Sequence, residues 1–243
     1  VETESLMRAS GGDARRLLNI IEMVVSSVPK GKVKITNHSV KDIIQNTTAG
    51  YDKCGEAHYD IISAFIKSIR ASDPNAALYY LARMVEGGEA PKFIARRLLI
   101  AASEDIGNAN PTALVIATST FQAVERIGWP EARIILSQCT IYLASSPKSN
   151  SSYKAIKDAQ QLVKETGDIQ VPLHLRNAPT ELMSKLGYGD GYQYDHNSDR
   201  GFSSQECMPE SLSGQTLYTP GNNPRENQIR EQLKALWKEK YGY

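Results

Sequence analysis

The chain of 243 residues is 41% hydrophobic and 23% charged, with 17 Gly and 11 Pro; this balance excludes collagen-like and disordered chains and suffices for one large or two smaller cores. Its 28 Lys and Arg offset 27 Asp and Glu, so bulk charge names no partner and any nucleic-acid contact needs a local patch. Cys54, Cys139 and Cys207 are odd in number and widely spaced, which argues against a disulfide framework and suits a reducing, intracellular setting.

Periodicity is helical nearly throughout. The chain opens on Val1 rather than Met, in "VETESLMRAS", which reads as the end of a helix, so it is expected to be part of a longer protein. After Asp13, a good N-cap, Leu17, Ile20, Ile21, Val24 and Val25 recur at spacings of three and four until "SSVPKGK" breaks the pattern. "VKITNHSVKDIIQNTTAG" reads as a small helix and a linker, with a domain boundary near Gly50. Beyond it Ile61, Ile62, Phe65, Ile66 and Ile69 share one helix face. The next helix starts at Asp73-Pro74 and stops at Gly87-Gly88.

Pro91, Pro111, Pro130 and Pro147 introduce further helices of roughly four turns, joined by short loops as in antiparallel helical packing. Leu114, Val115, Ile116, Ile134, Ile135, Leu136, Ile141 and Leu143 wrap much of their circumference, predicting burial in the centre or between subunits. The stretches between prolines are not self-similar, which argues against a solenoid. The final third holds one short helix from Pro179 and then an irregular layer over about 188–223, which Tyr188, Tyr192, Tyr194 and Phe202 are expected to clamp onto the helices. A terminal helix over about 224–240 carries a narrow stripe of Ile229, Leu233, Leu236 and Trp237, and is expected to dock weakly or bind a partner.

No run reaches the ~18 apolar residues of a membrane span, and no basic-then-apolar leader opens the chain. A phosphate loop, a catalytic magnesium-binding Asp-Glu pair, G-x-G-x-x-G and G-x-S-x-G are all missing from it. Cys54 and His58 could share a helix face, with His38, His174, His196 and Cys207 as distant partners, but without a second closely spaced pair a half-buried thiol and a hydrogen-bonded imidazole are the better reading than zinc. Glu104 and Asp105 are adjacent and should point to different sides of a helix, so they read as ion-pair partners, with Arg96 and Arg97 on the same helix, rather than as an acid/base pair. Glu86 and Glu89 form a further carboxylate pair elsewhere. Lys67, Arg70 and Lys148 could touch phosphates, though scattered cations more commonly form solvated surface. Arg15 and Arg16 fall in the first turn of a predicted helix, whose positive end disfavours cations by roughly 0.3–1 kcal/mol; they need water, a carboxylate or a bound anion.

"GGDARRLLNIIE" resembles the lid-helix motif of clamp-loader-type AAA+ ATPases, in which an arginine opening the helix reaches the nucleotide phosphates. "YDKCGEAHYDIISAFIKSIRASDPNAALYYLARMVEGGEAPKFIARRLLIAASEDIGNANP", "IGWPEARI", "YLASSPKSN" and "VPLHLRNAPTELMSKLGYGDGYQYDH" extend the likeness over nearly the whole chain. Together they are similar to the C-terminal half of the replication-associated recombination protein A family, whose eukaryotic relatives are the Werner-helicase-interacting ATPases. The resemblance implies an all-α chain, with an AAA+ lid remnant over 1–50 and a helical oligomerisation domain over 51–243. It places Arg15 as the lid arginine, with Arg16 as the weaker candidate. It implies a full-length parent that uses ATP and Mg, forms a homotetramer, engages DNA ends or junctions and single-strand-binding or other replication proteins, and is cytoplasmic and nucleoid-associated. The fragment itself is expected to hold no cofactor and to lack nucleotide hydrolysis. Cys54 and Ala71 depart from residues usual in the family. A free-standing helical adaptor binding a protein through the terminal helix is the alternative, and a zinc hydrolase built on Cys54 and His58 is a third.

Overall fold

The computed structural model describes residues 1–10, 12, 14–27, 34–47, 56–198 and 201–243. Three helices come first: α1 (Glu4–Ser10), α2 (Ala14–Ser26) and α3 (Asn37–Thr47). They bury Leu6, Ile20, Val24, Ile35 and Val40 in a small core of their own. Ile20 and Val24 are the i and i+4 positions of the stripe expected along α2, so the helical period and the burial agree. The boundary expected near Gly50 lies outside the described residues.

A larger core joins α4 (Glu56–Arg70), α5 (Pro74–Glu86), α6 (Pro91–Ala101), α7 (Thr112–Ile127) and α8 (Ala132–Ser145). Phe65, Ile69, Met84, Ile94, Leu98, Leu136 and Leu143 are fully buried there, each worth about 1.5–3 kcal/mol in apolar burial. α5 begins and ends on the residues that specify it. Asp73 accepts from the backbone N–H groups of Asn75 (3.0 Å) and Ala76 (2.9 Å), Pro74 takes the first turn, and Gly88 turns away at φ +72°. No strand occurs among the described residues, and the fold is all-α.

α6 does not end cleanly. It runs into a π-helical turn, Ala102–Ile106, and a 3-10 turn, Gly107–Ala109. Gly107 sits at φ +48°, and a Cβ there would come within 3.0 Å of the Ser152 hydroxyl and 3.2 Å of the Ser149 carbonyl. The turn therefore presses closely on the start of α9 (Ser151–Thr166). α9 meets the rest of the described structure chiefly at this point, and none of its residues is buried.

Of the two burials expected for the middle helices, in the centre or between subunits, the centre takes only part of their apolar residues. Leu136 and Leu143 are core residues, but Leu114 (44% exposed), Val115 (64%), Ile134 (61%) and Ile141 (43%) face outward. Their apolar surfaces are wider than the described residues cover. After α9 comes the short α10 (Glu181–Lys185), which Thr180 caps, and then an irregular layer. Only part of the expected aromatic clamp forms. Arg176 donates to the Tyr188 hydroxyl at 3.2 Å and lies over its ring, and Phe202 packs edge-on against Trp237 at 4.9 Å. Tyr192 and Tyr194 remain about half exposed. The chain then enters α11 (Pro224–Trp237).

Candidate functional site

Arg15 and Arg16 occupy the first turn of α2, which starts at Ala14 with no acidic residue in that turn; their side chains lie outside the described residues. Gly12, just before the helix, has φ +86°, a conformation that favours glycine. The backbone thus places two cations at the end of a helix whose orphan N–H groups make it the positive end.

A second charged cluster forms where α4, the π-helical turn and the start of α9 converge. Arg70 Nε donates to Asp105 Oδ1 at 2.5 Å, and its Nη2 lies 3.5 Å from Glu104 Oε1. The sequence pattern paired these acids with Arg96 and Arg97 on their own helix and pointed them apart. The π-helical turn changes that, bringing both adjacent carboxylates to one arginine 34 and 35 positions earlier. The hydrogen bond to Asp105 raises the Arg70 pKa, against the opposing effect of burial. Asp105 is 6% exposed, and its second oxygen has no hydrogen-bond partner among the described residues.

Lys148 lies beside this cluster but is committed elsewhere. Its ammonium donates to the carbonyls of Leu143 (3.0 Å), Ala144 (2.9 Å) and Ser146 (2.6 Å). Three donors and three acceptors saturate the group and cap the C-terminal end of α8, where a cation is favoured. A phosphate role for Lys148 would break that cap. Burial lowers its pKa, with Asp105 acting in the opposite sense.

The third feature is a groove of about 580 Å³ between α4 and α6. Ile62 and Ile66 lie among its lining residues, with Tyr59 and Phe93 from the N-terminal parts of the two helices and Lys67 and Arg97 further along. Among the described residues Arg97 Nε is buried with no hydrogen-bond partner. Among the described residues, ion pairs join Arg70 to Glu104 and Asp105, and Lys92 to Glu125, but none includes Lys67 or Arg97.

The sequence reading missed a buried carboxylate. Glu226 in the first turn of α11 is 0% exposed. Asn223 accepts from its backbone N–H at 3.0 Å and donates Nδ2 to its Oε2 at 2.5 Å, a reciprocal cap. The serines that open α9, Ser149 and Ser151, also hydrogen-bond to it, as does the Gly221 backbone. Burial pushes this carboxyl up, but the bonds from Ser149, Asn223, Gly221 and Ser151 outweigh it and leave the pKa lowered. One anion is therefore shared by two helix N-termini. A Cβ on Gly221 would meet Glu226 Oε2 at 2.6 Å, so only glycine fits beside it. The signal was present in "NNPRENQ", as Asn three residues before Glu with Pro between them. α11 is consequently anchored rather than weakly docked.

The histidines considered as metal ligands have other roles. His38 lies 3.5 Å from Asp42, His174 Nε2 lies 2.8 Å from the Glu206 carbonyl, and the His196 ring lies tilted against Tyr194 at 5.1 Å. Among the described residues no three His, Cys, Asp or Glu side chains gather in a metal-binding group. The side chains of Cys54 and His58 lie outside those residues.

Comparison with known proteins fits this arrangement. Residues 71–237, from α5 through α11, match the family described as MgsA AAA+ ATPase C terminal, and residues 2–70 match the AAA C-terminal domain. The chain belongs to the MgsA AAA+ ATPase C-terminal family. It is 42% identical over 232 residues to a replication-associated recombination protein A of Coxiella burnetii, covering 94% of this chain and 53% of that protein. An uncharacterized protein of Thermotoga maritima is 48% identical over 239 residues, 98% of this chain and 38% of that one. The ATPase WRNIP1 of Dictyostelium discoideum is 35% identical over 234 residues, 88% of this chain and 27% of its own length. The chain thus spans about half or less of these relatives. The AAA C-terminal match contains Arg15 and Arg16, whereas the MgsA match contains the Glu226 anchor and the outward-facing apolar residues of α7 and α8. No helix among the described residues is long and apolar enough to cross a membrane.

Proposed function

We propose that this chain supplies the lid and the assembly surface of a DNA-dependent AAA+ ATPase acting in replication-fork maintenance, recombination and DNA repair. In this reading Arg15 reaches ATP phosphates bound with Mg by a preceding nucleotide domain, and Arg16 is the weaker contact. The chain has no nucleotide hydrolysis of its own, because it contains neither a phosphate loop nor a catalytic acid pair. It assembles with itself into a homotetramer, and the complete protein engages DNA ends or junctions and other replication proteins in the cytoplasm, at the nucleoid.

The observation that carries the assembly reading is the apolar surface that the described residues leave uncovered on three helices. Ile134 and Ile141 stand one heptad apart on α8, Leu114 and Val115 open α7, and Ile156 and Val163 stand one heptad apart on α9; each is at least 43% exposed. A soluble chain that leaves this much aliphatic surface in water is organised to cover it with another surface. A closed tetramer built from two-fold axes needs two different self-complementary faces, which matches having candidates on both α7–α8 and α9.

Light scattering at micromolar concentration tests the reading. The wild-type chain should run at four times its 26.8 kDa mass, and Ile134→Glu or Val163→Glu should lower that mass with helical content retained. A wild-type monomer would refute assembly. The lid role is tested separately in the protein carrying its nucleotide domain, where Arg15→Ala should weaken nucleotide affinity and slow turnover; unchanged values would refute it.

A further inference from the structure

From the exposed stripe of α9 and the charges beside it, we infer that α9 pairs in parallel and in register with α9 of a second copy of this chain. The inference rests on the assembly reading, and names the direction and register of one of its two faces.

α9 has no buried residue, and it meets the rest of the described structure chiefly at its base. Tyr153, Ile156, Gln160 and Val163 are exposed along it, at spacings of three, four and three. Those are the alternating core positions of a two-stranded coil, whose pattern repeats every seven residues. Four core layers make a small interface on the scale of stable complexes. The pairing therefore completes an assembly that the α7–α8 face also holds.

The flanks of the stripe decide the direction. Lys157 and Lys164 follow Ile156 and Val163 on one side, whereas Ser152 and Ala159 precede Tyr153 and Gln160 on the other. One flank is cationic and the other uncharged. In an antiparallel pair like flanks meet. Laying Tyr153 against the partner's Val163, and Ile156 against the partner's Gln160, sets Lys157 opposite the partner's Lys164, and symmetry repeats the clash. Like charges in such positions are destabilising. In a parallel pair unlike flanks meet: Ser152 faces the partner's Lys157, and Ala159 faces the partner's Lys164, so no like charges are opposed. Gln160 then meets the partner's Gln160, amide to amide. A single polar core position of this kind fixes register and strand number. An acidic helix of another protein would suit the lysine flank, but would set its own core residue against Gln160 without that match. A two-fold axis along α9 generates the parallel pair, and a second axis through the α7–α8 face closes the tetramer.

Cysteine cross-linking of the whole chain tests the pairing, with Cys54 and Cys207 replaced by Ser and the buried Cys139 kept. Val163→Cys should link to itself under mild oxidation, and Tyr153→Cys should do the same at the other end of the stripe. In an antiparallel pair each would lie about 15 Å from its own copy, ten residues at 1.5 Å, and only a mixture of the two variants would link. Asp158→Cys, on the face opposite the stripe, should give no link. Lys157→Glu should leave assembly within about twofold of wild type, because Ser152 faces it in the parallel pair; an antiparallel pair would tighten. Circular dichroism monitors folding of each variant. A link confined to the mixture, no link at either position, or tighter assembly of Lys157→Glu would overturn the inference. Light scattering on unoxidised wild type keeps the two readings apart. A tetramer whose Val163→Cys and Tyr153→Cys variants form no link defeats the α9 pairing alone, whereas a monomer defeats the assembly reading itself.

Discussion

Replacing Glu226 by Ala removes the carboxylate around which α9 and α11 begin. The reciprocal Asn223 cap is worth about 1 kcal/mol. The bonds to the charged carboxylate from Ser149, Ser151 and Asn223 are each worth about 1.5–3 kcal/mol in a buried site. Against these gains stands the cost of keeping an ionised group at 0% exposure, still several kcal/mol after relaxation. A net loss of about 2–4 kcal/mol remains, consistent with the hydrogen bonds outweighing burial in setting the pKa. Because the lost contacts lie at one end of α11, the loss should appear first as local opening. Amide hydrogen exchange of α11 and of the first turn of α9 should accelerate by about 30-fold to 1,000-fold, each 1.4 kcal/mol being a factor of ten. Exchange in α5, whose own caps are untouched, should change little. Glu226→Gln keeps an acceptor and the shape of the side chain, so it should fall between wild type and Ala. If Glu226→Ala leaves α11 exchange within threefold of wild type, the shared carboxylate is not what anchors this helix.

Arg70→Ala leaves Asp105 a buried charge without its partner and should cost roughly 3 kcal/mol in urea denaturation, the low end for a broken buried pair because Arg70 is itself half exposed. Glu104→Ala, across a 3.5 Å gap and with the acid 36% exposed, should cost under about 1 kcal/mol. Glu206 is held down to about 2, chiefly by the Ser213 hydroxyl and also by the Met208 N–H and Lys240. Its folded value lies below its ordinary 4.5, so the stability it contributes is complete above that value and is lost as pH falls toward 2. Carboxyl NMR titration should find this low value, and Ser213→Ala should raise it; a Glu206 titrating near 4.5 in the wild type would contradict the contact.

Local chemistry made α5 readable to the residue, because Asp73, Pro74 and Gly87-Gly88 each act within one helical turn. The place of Arg15 and Arg16 was legible for the same reason, since only the start of α2 had to be found. The Arg70 cluster was not legible. Its members are 34 and 35 positions apart, and a π-helical turn that periodicity does not announce puts adjacent acids on one side. The burial of Glu226 was hidden by the charged residues around it, although its capping pattern was in view. For Leu114, Val115, Ile134 and Ile141, hydrophobic spacing identified apolar faces but carried no information about whether this chain or another surface covers them. The α4–α6 groove depends on the relative heights of two helices, which sequence period alone does not fix.

α9 is about 24 Å long and is gripped chiefly at its base, where Gly107 and Glu226 meet Ser149 and Ser151. Mechanically it is a lever with a short, stiff fulcrum. A rotation of about ten degrees at the base carries the far end about 4 Å, roughly three quarters of a helical pitch. Substitutions a residue or two from that fulcrum therefore act on the direction of the entire helix, and a methyl group added at Gly221 would register farthest from where it is placed.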